Sequence, residues 1–160
     1  YTTLFRSMKK IIKNNIKYNI NVWDTTGQEK YHSITKLYIK GSDIIIFVYS
    51  INSRFSFEGL NYWYNAVKEI IQGEKYLTAV IGNKCDLIDN EEISEQEGKK
   101  YAEEINAKFK LVSAKEDVGI NNLFNSLVDE CILQLDTNEK SKQLIITKTK
   151  RKKKKKKKCC

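Results

Sequence analysis

Trp23-Asp24-Thr25-Thr26-Gly27-Gln28 closes the apolar run Ile20 to Trp23, and two further clusters of the same kind follow. Asn83-Lys84-Cys85-Asp86 comes after Leu77 to Ile81, and Ser113-Ala114-Lys115 after Phe109 to Val112. Each run has the length and composition of a strand, and each cluster has the polar groups of a loop. Strands alternating with helical stretches predict parallel pairing. Open α/β sheets place their ligand sites in loops at the carboxyl ends of the strands. The three clusters therefore predict an α/β fold and also the edge of it that binds.

The intervening segments agree. Met8 to Ile12 and Ile16 to Trp23 read as a hairpin around Asn14-Asn15, residues that tolerate left-handed backbone angles. The alternation Ile16, Tyr18, Ile20, Val22 predicts one buried face. Asp43 to Tyr49 is continuously apolar after its first residue, as expected at the centre of a parallel sheet. Arg54 to Ile71 is predicted helical, with Phe57, Leu60, Trp63 and Val67 on one face and Asn52 or Ser53 as its cap. Ser94 to Asn106 reads as a polar helix. Val118 to Leu135 closes the domain with the stripe Leu123, Phe124, Leu127, Cys131, Ile132 and Leu135.

The second cluster has the chemistry to read a base. Guanine carries two donors on one edge, a ring N–H and an exocyclic amine. The Asp86 carboxylate, two residues after Lys84, can accept both. Lys84 can lay its stem on the ring face, and Asn83 can tie neighbouring loops together. Such a paired contact rejects the wrong base, because mismatching leaves buried polar groups without partners. Ser113-Ala114-Lys115 adds the Ala114 N–H, within reach of the guanine oxygen. Singly, each cluster also reads as a plain turn after a strand; the order of all three separates the two readings.

In that order the clusters resemble the Ras-like small GTPases, which implies a mostly parallel sheet with helices on both faces and a GTP or GDP ligand with Mg²⁺. The resemblance makes Asp24-Thr25-Thr26-Gly27-Gln28 the phosphate end. Asp24 would hold Mg²⁺ through water, since that ion takes few carboxylates and keeps its waters. Gly27 would let a backbone N–H approach the γ-phosphate, and Gln28 would orient the attacking water. The family pattern has Ala where Thr26 stands, a departure expected to slow switching or hydrolysis. Its phosphate cradle, a strand followed by Gly-x-x-x-x-Gly-Lys-Ser/Thr, is matched by none of the seven glycines. Residues 1–135 are therefore expected to be a partial GTPase domain without first strand, phosphate loop and first helix, inactive by itself. Neither Thr2 nor Thr3 is assigned as the Mg²⁺-binding threonine.

Finer motifs point within the superfamily. Trp23 to Tyr31 looks like the Rab switch pattern, with Gln28 to Ile39 as the second switch and its short helix. Tyr31-His32-Ser33 and Leu37-Tyr38-Ile39-Lys40-Gly41 are similar to the early-endosomal Rab subgroup. Phe5, Trp23 and Tyr38, with Tyr31 beside them, match the aromatic surface on which Rab effectors dock. The resemblance implies effectors, an exchange factor, a GTPase-activating protein and prenylation machinery as partners. His32, the one histidine, reads as a surface or packing residue.

Charge is concentrated at the end of the chain. Lys148, Lys150 and Arg151 to Lys158 carry ten positive charges of a formal net +9, leaving −1 for the rest. The pI thus describes a tail, and bulk charge is no argument for nucleic-acid binding by the domain. Like charges repel, so residues 136–160 are expected to be an extended arm. It ends in Cys159-Cys160, which resembles the doubly geranylgeranylated end of Rab proteins. Two lipid chains, or one with a basic patch, anchor stably where a single chain does not. The rival meanings are a nuclear address or a nucleic-acid arm, and a lipid-anchored pseudo-GTPase that binds without hydrolysis. The four cysteines lack metal-like spacing and predict no disulfide framework. The predicted location is the cytoplasmic face of endosomal or vesicle membranes, lipid-anchored, and cytosolic when extracted.

Overall fold

The computed structural model describes residues 5–13, 15–25, 39–73 and 75–134. β1 (Phe5–Lys13) and β2 (Ile16–Asp24) form an antiparallel hairpin in which Lys13 is the register partner of Ile16. Asn15 takes φ +61°, the left-handed angle that a tight hairpin turn needs and asparagine tolerates. β3 (Ile44–Ser50), β4 (Leu77–Asn83) and β5 (Lys108–Leu111) form a parallel sheet in the order β3-β4-β5.

Helices connect the parallel strands, as parallel pairing requires. α1 (Arg54–Ile70) joins β3 to β4, and Ser53 caps it by accepting the Ser56 N–H at 3.3 Å. After β4 comes a 3₁₀ helix (Cys85–Asn90), then α2 (Glu95–Glu104), capped by Ser94. Residues 120–134 form α3. Its start lies two residues later than expected, because Val118 exchanges backbone hydrogen bonds with Ser113 instead of entering the helix.

Two apolar clusters hold the layers together. One gathers Phe47, Tyr49, Leu60, Val67, Val80 and Ala102 between the sheet, α1 and α2. The other joins Leu77, Ala79 and Ile81 to Leu123 and Leu127 of α3. The stripe expected on α3 holds at Leu123, Leu127 and Ile132; Val128 is also buried, Phe124 is 37% exposed, and Leu135 lies outside the described residues.

Two burial expectations are corrected. β3, expected at the centre, is an edge of the described sheet, and the enclosed strand is β4, buried from Leu77 to Gly82. An all-apolar run is compatible with burial but does not say which neighbour provides it. The hairpin face is also only half-buried: Tyr18 and Ile20 are partly covered, while Ile16 is 51% exposed. The reason is a cleft of about 1070 Å³ bordered by Tyr18 to Asp24 on one side and Ile44 to Val48 on the other. Among the described residues, no strand pairs with the facing edges of β2 and β3.

Tyr49 and Tyr101 flank Phe57 edge-on, at 4.9 and 5.5 Å between ring centroids. Both hydroxyls are buried without a hydrogen-bond partner among the described residues. Burial pushes Tyr49 up to about 12, with Glu97, Glu91 and Glu95 adding to it; burial likewise pushes Tyr101 to about 12. The folded state thus favours the protonated phenols. Their contribution to stability is complete below the ordinary tyrosine value near 10 and is lost as pH rises from about 10 to 12. Tyr49→Phe is expected to raise stability by about 1 kcal/mol at neutral pH, since an unpaired buried hydroxyl is removed. It should also flatten the alkaline loss, as read from urea midpoints between pH 8 and 11. An unchanged alkaline slope would refute this account of Tyr49.

Candidate guanine-binding site

The carboxyl ends of β4 and β5 converge on one small constellation. Beyond Asn83, Lys84 adopts φ +65° and ψ +37°. That turn lets the Cys85 N–H donate to the Val112 carbonyl at 3.0 Å, locking the end of β4 to the chain just past β5. The 3₁₀ helix then starts, with Asp86 in its first turn.

Ser113 is fully buried, and its hydroxyl donates to Asp86 Oδ1 at 2.5 Å. The same Oγ accepts the Glu116 N–H at 3.1 Å, so its proton has one natural destination, the carboxylate. The Ser113 hydroxyl holds the Asp86 carboxyl below the usual carboxylate range, and Lys115 and Lys84 add to that. Asp86 is therefore ionised at neutral pH and is acceptor-only. A carboxylate offers about four lone-pair sites. One goes to Ser113, which leaves capacity for two donors on the edge of a base.

Asn83 turns to the other loop, where its Oδ1 accepts the Ala114 N–H at 3.1 Å. The tie between loops expected of Asn83 is present. It engages the N–H that the sequence assigned to the guanine oxygen, so any contact from Ala114 to a base would be shared with Asn83. Lys84 is exposed. Lys115 pairs with Glu116 at 2.9 Å across exposed side chains, an ion pair of small energetic weight.

Asp24 and Thr25 stand exposed at the end of β2 and line the same cleft as Asn83 and Ala114. The structure thus ties Asn83 to Ala114 and Asp86 to Ser113, and sets Asp24 and Thr25 on the cleft that Asn83 and Ala114 also line. Thr26, Gly27, Gln28, Tyr31, Tyr38, Cys159 and Cys160 lie outside the described residues, as do the Phe5 side chain and the second-switch helix before Ile39. Trp23 is 36% exposed on the hairpin. No three His, Cys, Asp or Glu residues group to hold a metal among the described residues. A single carboxylate at Asp24 is nevertheless what Mg²⁺ takes where phosphate oxygens and water supply its other ligands.

Sequence reasoning placed Ser113 at the nucleotide but missed its tie to Asp86. The available signal was a lone small hydroxyl residue where the last strand run ends, and nothing in its spacing names a partner 27 residues away.

A model of the Ras family matches residues 2–133, nearly the whole described domain. The chain belongs to the Ras family. Within that family it is similar to Rab proteins. It is 34% identical to the human Ras-related protein Rab-21 over 143 residues, covering 88% of this chain and 63% of that one. Human Rab-22A is 39% identical over 118 residues, 72% of this chain and 59% of its own length. Rab-2B of Dictyostelium discoideum is 34% identical over 125 residues, 78% and 61% respectively. The chain thus spans about 60% of the length of these relatives. The parallel sheet, the crossover helices and the loops at its carboxyl edge are those of a Ras-like α/β domain.

Proposed function

We propose that the protein is a guanine-nucleotide switch of membrane traffic, a Rab-type GTPase that binds GTP and GDP with Mg²⁺. The observation that carries this is the hydrogen bond by which Ser113 holds the Asp86 carboxylate, beside the Asn83–Ala114 tie between the same two loops. In this reading Asp86 accepts the two guanine donors, and the Lys84 stem covers the ring. Asp24 would hold Mg²⁺, which would supply positive charge against the phosphates when bound. Gln28 orients the water that attacks the γ-phosphorus, releasing GDP and phosphate. Exchange of GDP for GTP would reorder the loops that flank the phosphates and so select effectors. Phe5, Trp23, Tyr31 and Tyr38 would supply the effector surface.

Among the described residues no strand lies between β2 and β3 across the cleft, which supports residues 1–135 as a partial domain to which a further strand, phosphate loop and helix belong. Residues 136–160 would be the lysine-rich tail prenylated at Cys159 and Cys160. That tail would hold the protein on the cytoplasmic face of endosomal or vesicle membranes, with a cytosolic form when extracted. Exchange factor, GTPase-activating protein and prenylation machinery follow as partners, and nucleic acid does not.

Supplying a phosphate loop with its strand and helix ahead of Tyr1 allows the switch to be tested. Gln28→Leu in that protein should lower single-turnover hydrolysis by about tenfold or more with nucleotide affinity nearly unchanged, because water positioning acts in the transition state. A parent that binds GTP but never hydrolyses it would instead favour the non-hydrolysing binding module, with Thr26 beside Gln28 as the first suspect.

A further inference from the structure

The loop that carries Asp86 is clamped at its exit by a residue of another element. The 3₁₀ helix Cys85–Asn90 has no side-chain cap, is kinked at Leu87 (φ −100°, ψ +33°) and fully buries none of its residues. A short, kinked, poorly covered element has little of its own to fix its position, so its ends must do so. Backbone alone fixes the entry: the Cys85 N–H donates to the Val112 carbonyl, and the Ile51 N–H donates to the Asn83 carbonyl at 3.0 Å. The exit returns to the same residue, where the Glu92 and Ile93 N–H groups donate to the Ile51 carbonyl at 2.8 and 3.1 Å. Ile51 is buried in the turn between β3 and α1.

Arg54, the first residue of α1, closes that exit from outside. Its guanidinium donates to the Glu92 carbonyl and to both carboxylate oxygens of Glu97. Its backbone N–H donates to the Glu92 carboxylate at 2.6 Å. That N–H is one of the helix-start donors with no partner inside α1. The first turn of α1 contains no acid, so Glu92 also brings the negative charge that a helix start favours. A planar fork of five donors can serve a carbonyl and a carboxylate at once, a geometry that an ammonium on a flexible stem does not hold. The clasp is modest in energy, because the Arg54 and Glu97 side chains are 43% and 39% exposed. Its place, directly after the 3₁₀ helix, is what gives it leverage on Asp86.

We propose that Arg54 is a positioning residue for Asp86: by clasping Glu92 and Glu97 it fixes the exit of the 3₁₀ helix and keeps the Asp86 carboxylate on the Ser113 hydroxyl, oriented for a base. The role toward a base rests on the guanine-binding function proposed above; the role in the loop stands without it. When the fork is removed, Leu87 to Glu92 keep their backbone bonds but lose the clasp that keeps them closed. Asp86 then spends time away from Ser113, and a paired contact that needs both of its oxygens oriented is weakened.

The loop is tested in the full 160-residue chain. In Arg54→Ala the Leu87, Glu91 and Glu92 amides, bonded in the parent to the Lys84, Ile88 and Ile51 carbonyls, should exchange faster by about tenfold or more, with Val80 and Ile81 of β4 unchanged. Asp86, which the Ser113 hydroxyl holds below the usual carboxylate range, should titrate closer to that range, as followed by its carboxyl carbon shift. Lys115 and Lys84 remain in both proteins, so the change reports the Ser113 bond. Arg54→Lys keeps the charge without the fork and should restore only part of either effect. The urea midpoint should stay near that of the parent, since a half-exposed ion pair contributes little. In the protein carrying a phosphate loop ahead of Tyr1, Arg54→Ala should raise KM for GTP by about tenfold, with kcat falling less and guanine still preferred to xanthine. Parent-like exchange in the loop, or an unmoved Asp86 titration, would overturn the proposal. Faster exchange spread evenly through β4 would overturn it too, as the mark of a clasp that only stabilises the fold. A parent that ignores guanine nucleotides would overturn the guanine site, and the loop measurements would still decide the role of Arg54.

Discussion

Asp86→Asn should turn a guanine-selective site into one that prefers xanthine. The substitution keeps an oxygen to accept the Ser113 hydroxyl, which in the parent lies 2.5 Å from Oδ1. It replaces the second oxygen with an amide donor. Guanine's amine then meets a donor, whereas xanthine offers a carbonyl at that position. Sites built to hydrogen-bond a specific group reject its absence by about 10⁴ to 10⁵. A loss of about a thousandfold or more in GTP affinity, with a gain for xanthosine triphosphate, is the expected result. Fluorescence titration of the protein carrying a phosphate loop ahead of Tyr1 would read it. Ser113→Ala offers a graded comparison: the carboxylate survives but loses its orienting donor, so affinity should fall by about tenfold without a change of base preference. Equal GTP affinity in Asp86→Asn and the parent would remove Asp86 from the site.

Gly98→Ala should destabilise the fold by about 3 kcal/mol, against the usual gain of about 1 kcal/mol for replacing a helical glycine with alanine. Gly98 lies inside α2 and is buried. A Cβ there would collide with the Tyr49 hydroxyl and would stand 2.6 Å from Phe109 Cε2. Tyr49 cannot retreat, because its hydroxyl lies 2.9 Å from where a Cβ on Gly82 would be and its ring is fixed by Phe57. A domain with a total stability of about 5–15 kcal/mol would lose a large share of it. The urea midpoint should drop steeply, and Tyr49→Phe in the same chain should recover part of the loss by removing the clashing oxygen. A Gly98→Ala protein as stable as the parent would mean that the helix shifts freely on the sheet.

The order of elements was legible in the chain because periodicity is a local property. Phe57, Leu60, Trp63 and Val67 recur at helical spacing, and α1 follows within one residue of the expected Arg54 to Ile71. Asn15 signals the hairpin, since few residues accept its backbone angles. The polar clusters after the apolar runs marked the carboxyl ends of β4 and β5, because a strand that ends in a buried sheet must pass its next residues to a loop.

Sequence by itself determined how charge divides along the chain and that strands and helices alternate. Tertiary structure alone decided who meets whom. Ser113 finds Asp86 and Asn83 finds Ala114 across 27 and 31 residues, and Lys13 finds Asp129 from the other end of the chain. It also decided that β4, and not β3, is the enclosed strand of the described sheet. The physical reason is one of range. Propensity and alternation act over a few residues, while a hydrogen bond between distant loops exists only once the strands beneath them have paired.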